Sequence, residues 1–290
     1  MTLRMIKRSI IMILTIFFCS CIDDKVVLTD AVTLDCVLSE PMGTIPDDLY
    51  HVGEIIESED YPPFTKELNV YGITLIGRDD ISDDFMLNIA NTIIEMFPQS
   101  AGIDTMLQKD LLRNIHKYKT VIPLFHGEDW VFSPEEEEEW DITAGENSVC
   151  DIIMENIPNQ VMEVVEHILH HVTDIGLHYT FPGEWGLSSS STLYSVTEEA
   201  IDHDYYDIQQ YSDIDDVGVR MRVILQEYAY WIIYTSWDLR EKHGPQDSEW
   251  SIMNSVELLE KLPDSYQLYN DTVVKVMACP SDSTLGLFID

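Results

Sequence analysis

Basic residues are scarce in this chain of 290 residues. Lys and Arg together number 16 against 53 Asp and Glu, which gives a formal net charge of −37 at pH 7. A chain this acidic is repelled by phosphate backbones and by anionic lipid surfaces. The composition therefore argues against nucleic acid as a partner, and it fits divalent cations, basic substrates or a saline environment.

Cysteine is also scarce, and its spacing is wide. Beyond the N-terminal region the cysteines are Cys36, Cys150 and Cys279, and no two of the five in the chain form a CxxC pair. This pattern excludes the common cysteine-based zinc motifs and a disulfide-dense scaffold. One long-range disulfide is compatible with the sequence, which does not indicate which cysteines pair.

The N-terminus has no apolar run long enough to cross a bilayer. The run Ile10–Phe18 is short and follows three basic residues, which is typical of a signal peptide. Ser20 followed by Cys21 resembles the lipobox of bacterial lipoproteins, in which Cys21 would carry the lipid. We predict a signal peptide over residues 1–20 and an exported protein. It would be secreted, or held at a membrane only through an N-terminal lipid anchor.

The next part of the chain predicts a lead-in and a small sheet. Residues 21–68 are acidic and contain four prolines, which indicates a tether and irregular structure. Residues 70–76 predict one buried strand. Residues 120–125 predict a second strand, placed at a sheet edge because Pro123 cannot donate to a ladder. Trp130–Phe132 is a candidate third strand, and Glu135–Glu139 is predicted to be a solvated loop.

Apolar residues at helical spacing dominate the rest of the chain. They predict helices over residues 82–97, 104–118, 158–176, 192–204, 219–242 and 255–262, followed by a short strand over 273–278. The expected fold class is therefore α+β, dominated by helices and with a small N-terminal sheet. We expect one domain over residues 69–290.

The segment from Pro158 to Gly176 is predicted to be one amphipathic helix. Its apolar face consists of Val161, Val164, Val165, Ile168, Val172 and Ile175. Carboxylates and imidazoles share the opposite face at i, i+3, i+4 and i+7 spacing: Glu163, Glu166, His167, His170 and Asp174. These residue types on one surface predict a metal site, and the alternative is an ordinary solvated face.

Three registers on this helix place two ligands one turn apart. In the favoured register Glu166 and His170 bind the metal, and His167 moves protons. In the second, Glu163 and His167 bind it and Glu166 is the base. In the third, His167 and His171 bind it, and Ile168, which cannot move protons, occupies the position of the base.

Glu227 is the predicted third ligand. It is the only side chain charged at neutral pH between Arg222 and Asp238, in a stretch that is otherwise apolar or aromatic. A buried carboxylate is costly unless it coordinates a metal or pairs with a cation. The alternative is a core ion pair of Glu227 with an arginine or a histidine. Tyr179 follows the predicted helix Pro158–Gly176 closely and is a candidate oxyanion donor or a packing aromatic.

Three stretches of the sequence resemble a family of exported proteins that is similar in layout to zincin-type metalloproteases. They are E-H-x-L-H-x-V-T at Glu166–Thr173, E-Y-x-Y-W at Glu227–Trp231 and the strand and helix of Val70–Phe97. The resemblance implies a zincin-like domain with zinc as cofactor and a peptide or protein as substrate. It also implies hydrolysis of a peptide bond by a metal-activated water.

The metal motif of the chain is a degenerate form of H-E-x-x-H. Glu166 stands at the position of the first zincin histidine, His167 at that of the catalytic glutamate and His170 at that of the second histidine. Zinc would be held by Glu166, His170 and Glu227, with His167 or Glu163 handling protons. The alternative is a noncatalytic exported lipoprotein that uses a zincin-like cleft for binding.

Overall fold

The structure is a computed structural model that describes residues 41–245 and 248–289. The predicted signal peptide, Cys21, Cys36 and the first part of the acidic lead-in lie outside the described residues. None of the helices within these two ranges is both long enough and apolar enough to span a bilayer.

A five-stranded mixed sheet is formed by neighbours in chain order. Its strands are β1 (Ile56–Glu57), β2 (Lys66–Val70), β3 (Ile73–Gly77), β4 (Val121–His126) and β5 (Ile153–Glu155). The β1–β2 and β2–β3 pairs are antiparallel, and β3, β4 and β5 run parallel. Strands β1 and β2 both begin before residue 69, so the end of the lead-in predicted to be irregular is part of the sheet.

The single strand predicted over 70–76 is wrong, because the chain reverses there. Tyr71 and Gly72 have φ of 53° and 90° and form the two-residue turn between β2 and β3. Two successive residues with positive φ match the twist of a tight hairpin, and glycine adopts this conformation without a steric cost. Apolar residues on both sides of the turn hide it in the sequence.

The predicted edge position of the second strand is also wrong. Strand β4 lies between β3 and β5. Pro123 lies opposite Ile76 of β3, whereas the ladder to β5 begins one residue later, with Leu124 opposite Ile153. An inner strand tolerates this proline because the short β5 begins to pair only after it.

Helices make up most of the described chain, which confirms the predicted α+β, helix-dominated class. They are α1 (Asp83–Met96), α2 (Thr105–Lys117), α3 (Pro134–Glu146), α4 (Gln160–His171), α5 (His178–Thr180), α6 (Thr192–Asp202), α7 (Val217–Ser236), α8 (Leu239–His243), α9 (Ser255–Lys261), α10 (Pro263–Val276) and α11 (Asp282–Leu285). The strand predicted over 273–278 is wrong, because α10 extends to Val276. The helix predicted over 219–242 is interrupted at Asp238, whose φ is 58°.

The acidic run Glu135–Glu139 begins α3 instead of forming the predicted loop. Ser133 and Glu136 form a reciprocal capping box, and Pro134 occupies the first turn. Carboxylates at a helix N-terminus interact favourably with the helix dipole. The predicted strand Trp130–Phe132 is irregular chain in the structure, and its aromatic side chains pack around Phe125.

Helices α4 and α7 pack against each other in the main core. The six apolar residues on the core face of the helix predicted over 158–176 are all buried, as expected. The opposite face of the predicted helix is largely enclosed as well, since Glu163, His170 and Asp174 are buried. The solvated-face alternative is therefore wrong.

The helix does not end at Gly176. A π-helical segment, Val172–Leu177, joins α4 directly to α5. Gly176 is buried within this segment, where an added Cβ would lie 3.0 Å from Cδ2 of Leu111 in α2. Close packing between helices, not helix termination, therefore explains the glycine.

Candidate metal centre

Two helices and one loop bring the candidate metal site together. Helix α4 presents Glu166 and His170 on successive turns, because residues i and i+4 share a helix face. Helix α7 carries Glu227 near its middle, where its neighbours are buried. Asp151 lies two residues before β5. Core packing of α4 against α7 thus converts distant sequence positions into one cluster.

His170 lies at the centre of this cluster and is 1% exposed. Its Nδ1 lies 2.8 Å from Oδ2 of Asp151, which is hydrogen-bond distance. Its Nε2 lies 3.7 Å from Oε2 of Glu227 and has no hydrogen-bond partner. The contact with Glu227 is an ion pair with a histidine, the alternative given for Glu227 above. Because Nε2 is buried and makes no hydrogen bond, it is also a candidate metal-binding atom.

Glu166, His170 and Glu227 each offer one ligand atom, and these atoms lie within 4.8 Å of one another. The same is true of a second group, Asp151, His167 and His170. Ligand bonds near 2 Å make such separations compatible with one shared ion. The described chain therefore contains groups that could hold a metal, and one of them consists of the three ligands predicted from the sequence.

Glu166 and Glu227 also line a cavity of about 410 Å³. The side chain of Glu227 is 17% exposed, and Glu166 is half-buried. His170 lies behind them. A small molecule that enters this cavity therefore meets the two carboxylates directly.

The second register brings its two ligands, Glu163 and His167, next to each other, and each also contacts a further group. Nδ1 of His167 lies 3.3 Å from Oε1 of Glu163, and its Nε2 lies 3.6 Å from Oδ2 of Asp151. The same Oε1 of Glu163 accepts a hydrogen bond of 2.7 Å from the backbone N–H of Met154. Glu163 thus connects α4 to strand β5.

The third register is wrong, because both ring nitrogens of His171 are engaged. Nδ1 lies 2.7 Å from the backbone oxygen of His167, and Nε2 accepts a hydrogen bond of 3.0 Å from the backbone N–H of Cys150. Burial lowers the pKa of His171 to about 4, so the ring is neutral at physiological pH. Its role is structural.

Cys150 itself is disulfide-bonded, whereas Cys279 is a free thiol.

Neither ligand group includes Tyr179. Its ring stacks on Tyr118 with centroids 3.9 Å apart, in a small cluster with Cys150 and Ile175. A different tyrosine adjoins the site: the ring of Tyr230 lies 5.6 Å from that of His170. The Tyr230 hydroxyl is buried without a hydrogen-bond partner. Burial and the nearby charge of Glu166 raise its pKa well above the usual range.

Proton affinities in the cluster are strongly perturbed. Burial alone would lower the pKa of His170, but Glu227 and Asp151 outweigh it and raise that pKa to about 9. Burial likewise opposes the charge of His167, yet Asp151 and Glu163 raise its pKa to about 10. The two imidazolium charges hold the pKa of Asp151 below its usual range despite burial.

The pKa values of the two glutamates that line the cavity, unlike that of Asp151, are raised. Burial raises the pKa of Glu166 and of Glu227, and the charge of His170 only partly offsets this effect. Without a metal, the cluster therefore holds protons that a divalent cation would displace, because metal ligands bind in their deprotonated form.

Sequence reasoning missed Asp151 and Tyr230. Asp151 joins the site through the pairing of β5 with β4, a long-range contact for which the local pattern carries no signal. Tyr230 lies three residues after Glu227, so it falls on the same side of α7. Helical spacing from Glu227 could therefore have identified it.

Comparison with known proteins adds no further constraint: no protein-family model, no curated protein and no solved structure matches the chain.

Proposed function

We propose that the chain is a divergent, zincin-like zinc hydrolase that cleaves peptide bonds, with Glu166, His170 and Glu227 as its zinc ligands. The observation that carries the proposal is His170. One of its ring nitrogens is fixed by Asp151, and the other is buried without a hydrogen-bond partner, 3.7 Å from a carboxylate of Glu227. A carboxylate–histidine pair of this kind typically orients a histidine towards a metal.

The donor set fits zinc. One imidazole nitrogen and two carboxylate oxygens match the ligand types of catalytic zinc sites, which use three protein ligands and leave one position open. When bound, zinc lowers the pKa of a water molecule and polarises a carbonyl oxygen. The adjoining cavity gives a substrate access to the side of the cluster that Glu166 and Glu227 line.

The residues around the ligands position them and hold protons. Nδ1–H of His170 donates to Asp151, which keeps Nε2 available as a ligand. His167, between Glu163 and Asp151, retains a proton at neutral pH because of these carboxylates. In the proposed reaction, His167 would donate its proton to the departing amine.

Zinc content and peptide cleavage together test the proposal. The purified chain should bind one zinc ion, and His170→Gln should lose it while keeping its circular dichroism spectrum. His126→Gln, at an exposed histidine outside both ligand groups, is the matched control. A peptide library should be cleaved with zinc and left intact with chelator. Equal, substoichiometric zinc in wild type and His170→Gln would overturn the metal site.

The noncatalytic alternative gives a different result in the same experiment. If one zinc ion is bound and lost in His170→Gln, but no peptide is cleaved at saturating zinc, the cleft binds without hydrolysis. That outcome would refute the hydrolase and leave the metal site intact.

A further inference from the structure

We propose that the cavity beside Glu166 and Glu227 binds an alkylammonium or guanidinium group of the substrate, with Glu249 as its counter-charge. This inference rests on the proposed function, because it names the substrate class of the same site. The cavity volume of about 410 Å³ suits a single side chain or a chain terminus rather than a folded protein surface.

The wall of the cavity is acidic. Three of its lining side chains are glutamates, and none of those that the structure describes belongs to Lys or Arg. A zinc ion with Glu166 and Glu227 as ligands would neutralise those two carboxylates, which leaves Glu249 as the cavity carboxylate that has no cation paired with it among the described residues. A partly buried carboxylate without a cation is costly, so a cationic group of the ligand is the natural complement.

Glu249 is held in place by a buried tryptophan. Its Oε1 accepts a hydrogen bond of 2.7 Å from Nε1 of Trp231, which is 1% exposed. Trp231 belongs to α7, one turn after Glu227. The same buried helix therefore fixes both the metal ligand and the counter-charge. A pre-positioned carboxylate of this kind binds a cation with less loss of side-chain entropy than a mobile surface one.

Two buried polar atoms without hydrogen-bond partners lie near the glutamates of the cavity. His170 Nε2 and the Tyr230 hydroxyl both lack hydrogen-bond partners, and both lie beside the glutamates of the cavity. Neither residue lines the cavity itself. A zinc ion held by the two glutamates would supply the partner that His170 Nε2 lacks.

One cation of the chain does lie close by, but it does not serve Glu249. The guanidinium carbon of Arg240 lies 5.7 Å from the Trp231 ring centroid, and Nη2 donates to Oγ of Ser248 at 3.4 Å. Arg240 is 3% exposed. Within the described residues it forms no ion pair with Glu249 and does not line the cavity.

The test uses four small probes on the zinc-loaded chain. N-acetyl-lysine methylamide carries a side-chain ammonium, norleucine amide an α-ammonium, lysine amide both, and N-acetyl-norleucine methylamide neither. Affinity is measured by calorimetry for wild type and for Glu249→Gln, which keeps an acceptor for Trp231. Glu184→Gln, which removes one exposed carboxylate from a different cavity, is the matched control.

We expect at least one charged probe to bind about tenfold more tightly than the neutral probe, as for a charge-assisted hydrogen bond. That preference should disappear in Glu249→Gln and persist in Glu184→Gln. Whether N-acetyl-lysine methylamide or norleucine amide binds distinguishes a basic side chain from a chain terminus. Equal affinities for all four probes, or a preference unchanged in Glu249→Gln, would overturn the inference. Failure of the wild-type chain to bind zinc would instead overturn the proposed function.

Discussion

Asp151 acts on the candidate metal site through His170, so its charge should affect zinc affinity without being essential for it. Asp151→Asn keeps an oxygen that accepts from Nδ1 of His170 but removes the charge. We expect zinc affinity to fall about tenfold, as for other carboxylates that orient a metal-binding histidine. Competition with a fluorescent zinc chelator measures this change, and Asp141→Asn, at an exposed position in α3, is the control.

The size of the effect discriminates between the two ligand groups. A complete loss of zinc in Asp151→Asn would mean that Asp151, His167 and His170 form the site. No change would contradict the orienting role of Asp151. Only an intermediate loss fits a carboxylate that orients His170 without binding the metal itself.

His178 should make the stability of the fold depend on pH. Its Nδ1 accepts a hydrogen bond of 3.1 Å from the N–H of Leu187. Burial and the charge of Arg222 lower its pKa to about 4. The same histidine titrates near pH 6.5 in the unfolded chain, which therefore binds the proton first as the pH falls. Its stabilising contribution is thus complete above about pH 6.5 and is lost progressively towards pH 4.

His178→Gln should reduce this pH dependence, because glutamine accepts the same hydrogen bond and does not titrate. Between about pH 7 and pH 4.5, we expect the free energy of unfolding to fall about 2 kcal/mol less in the variant than in wild type. Urea unfolding at the two pH values measures the difference. Equal losses in both proteins would show that His178 does not titrate as described.

At the level of elements, the π-helical segment between α4 and α5 depends on the contact of Gly176 with α2. Leu111 is fully buried, and an added methyl group at Gly176 would lie only 3.0 Å from its Cδ2. We expect Gly176→Ala to destabilise the fold by about 1–3 kcal/mol, which is typical of overpacking. Thermal and urea unfolding measure this loss.

Gly145→Ala is the matched control for this substitution. Gly145 lies in α3, and nothing would come within 4 Å of its added Cβ. Alanine is the better helix former by about 1 kcal/mol, so this variant should be slightly more stable than wild type. If both variants were stabilised alike, the packing explanation for Gly176 would fail.

Elements with local signals were predictable from the sequence. The helix predicted over residues 82–97 is α1, capped by Ser82, because the cap and the apolar spacing both lie within one short stretch of sequence. The turn at Tyr71 and Gly72 was missed, because the apolar residues Val70 and Ile73 flank it directly on both sides. Helix α3 was missed because its glutamates repel one another in isolation, whereas the cap at Ser133, the helix dipole and Arg78 compensate in the fold.

The candidate site was predictable to a similar extent. Helical spacing identified Glu166 and His170, and the isolated charge in an apolar helix identified Glu227. The choice among registers needed tertiary contacts, since the hydrogen bond from the backbone of Cys150 occupies Nε2 of His171 and excludes the third register. Asp151 depends on sheet pairing, which no local pattern encodes.

For the molecule as a whole, the acidic composition predicts a stability that depends on salt. A formal net charge of −37 repels itself more strongly in the compact state than in the unfolded chain. Raising NaCl from about 0.01 M to about 0.3 M shortens the Debye length from about 30 Å to below 10 Å. The melting temperature should therefore rise by several degrees in a thermal scan. An unchanged or lower melting temperature would contradict this expectation.

One zinc ion between α4 and α7 would join the two helices that form most of the candidate site. The anomalous difference map of a zinc-soaked crystal, with data collected on both sides of the zinc absorption edge, would locate this ion. We expect one strong peak about 2.0–2.2 Å from Nε2 of His170 and from a carboxylate oxygen of each of Glu166 and Glu227. A peak bound instead by Asp151, His167 and Nδ1 of His170, or no peak in this cluster, would contradict the proposed zinc site.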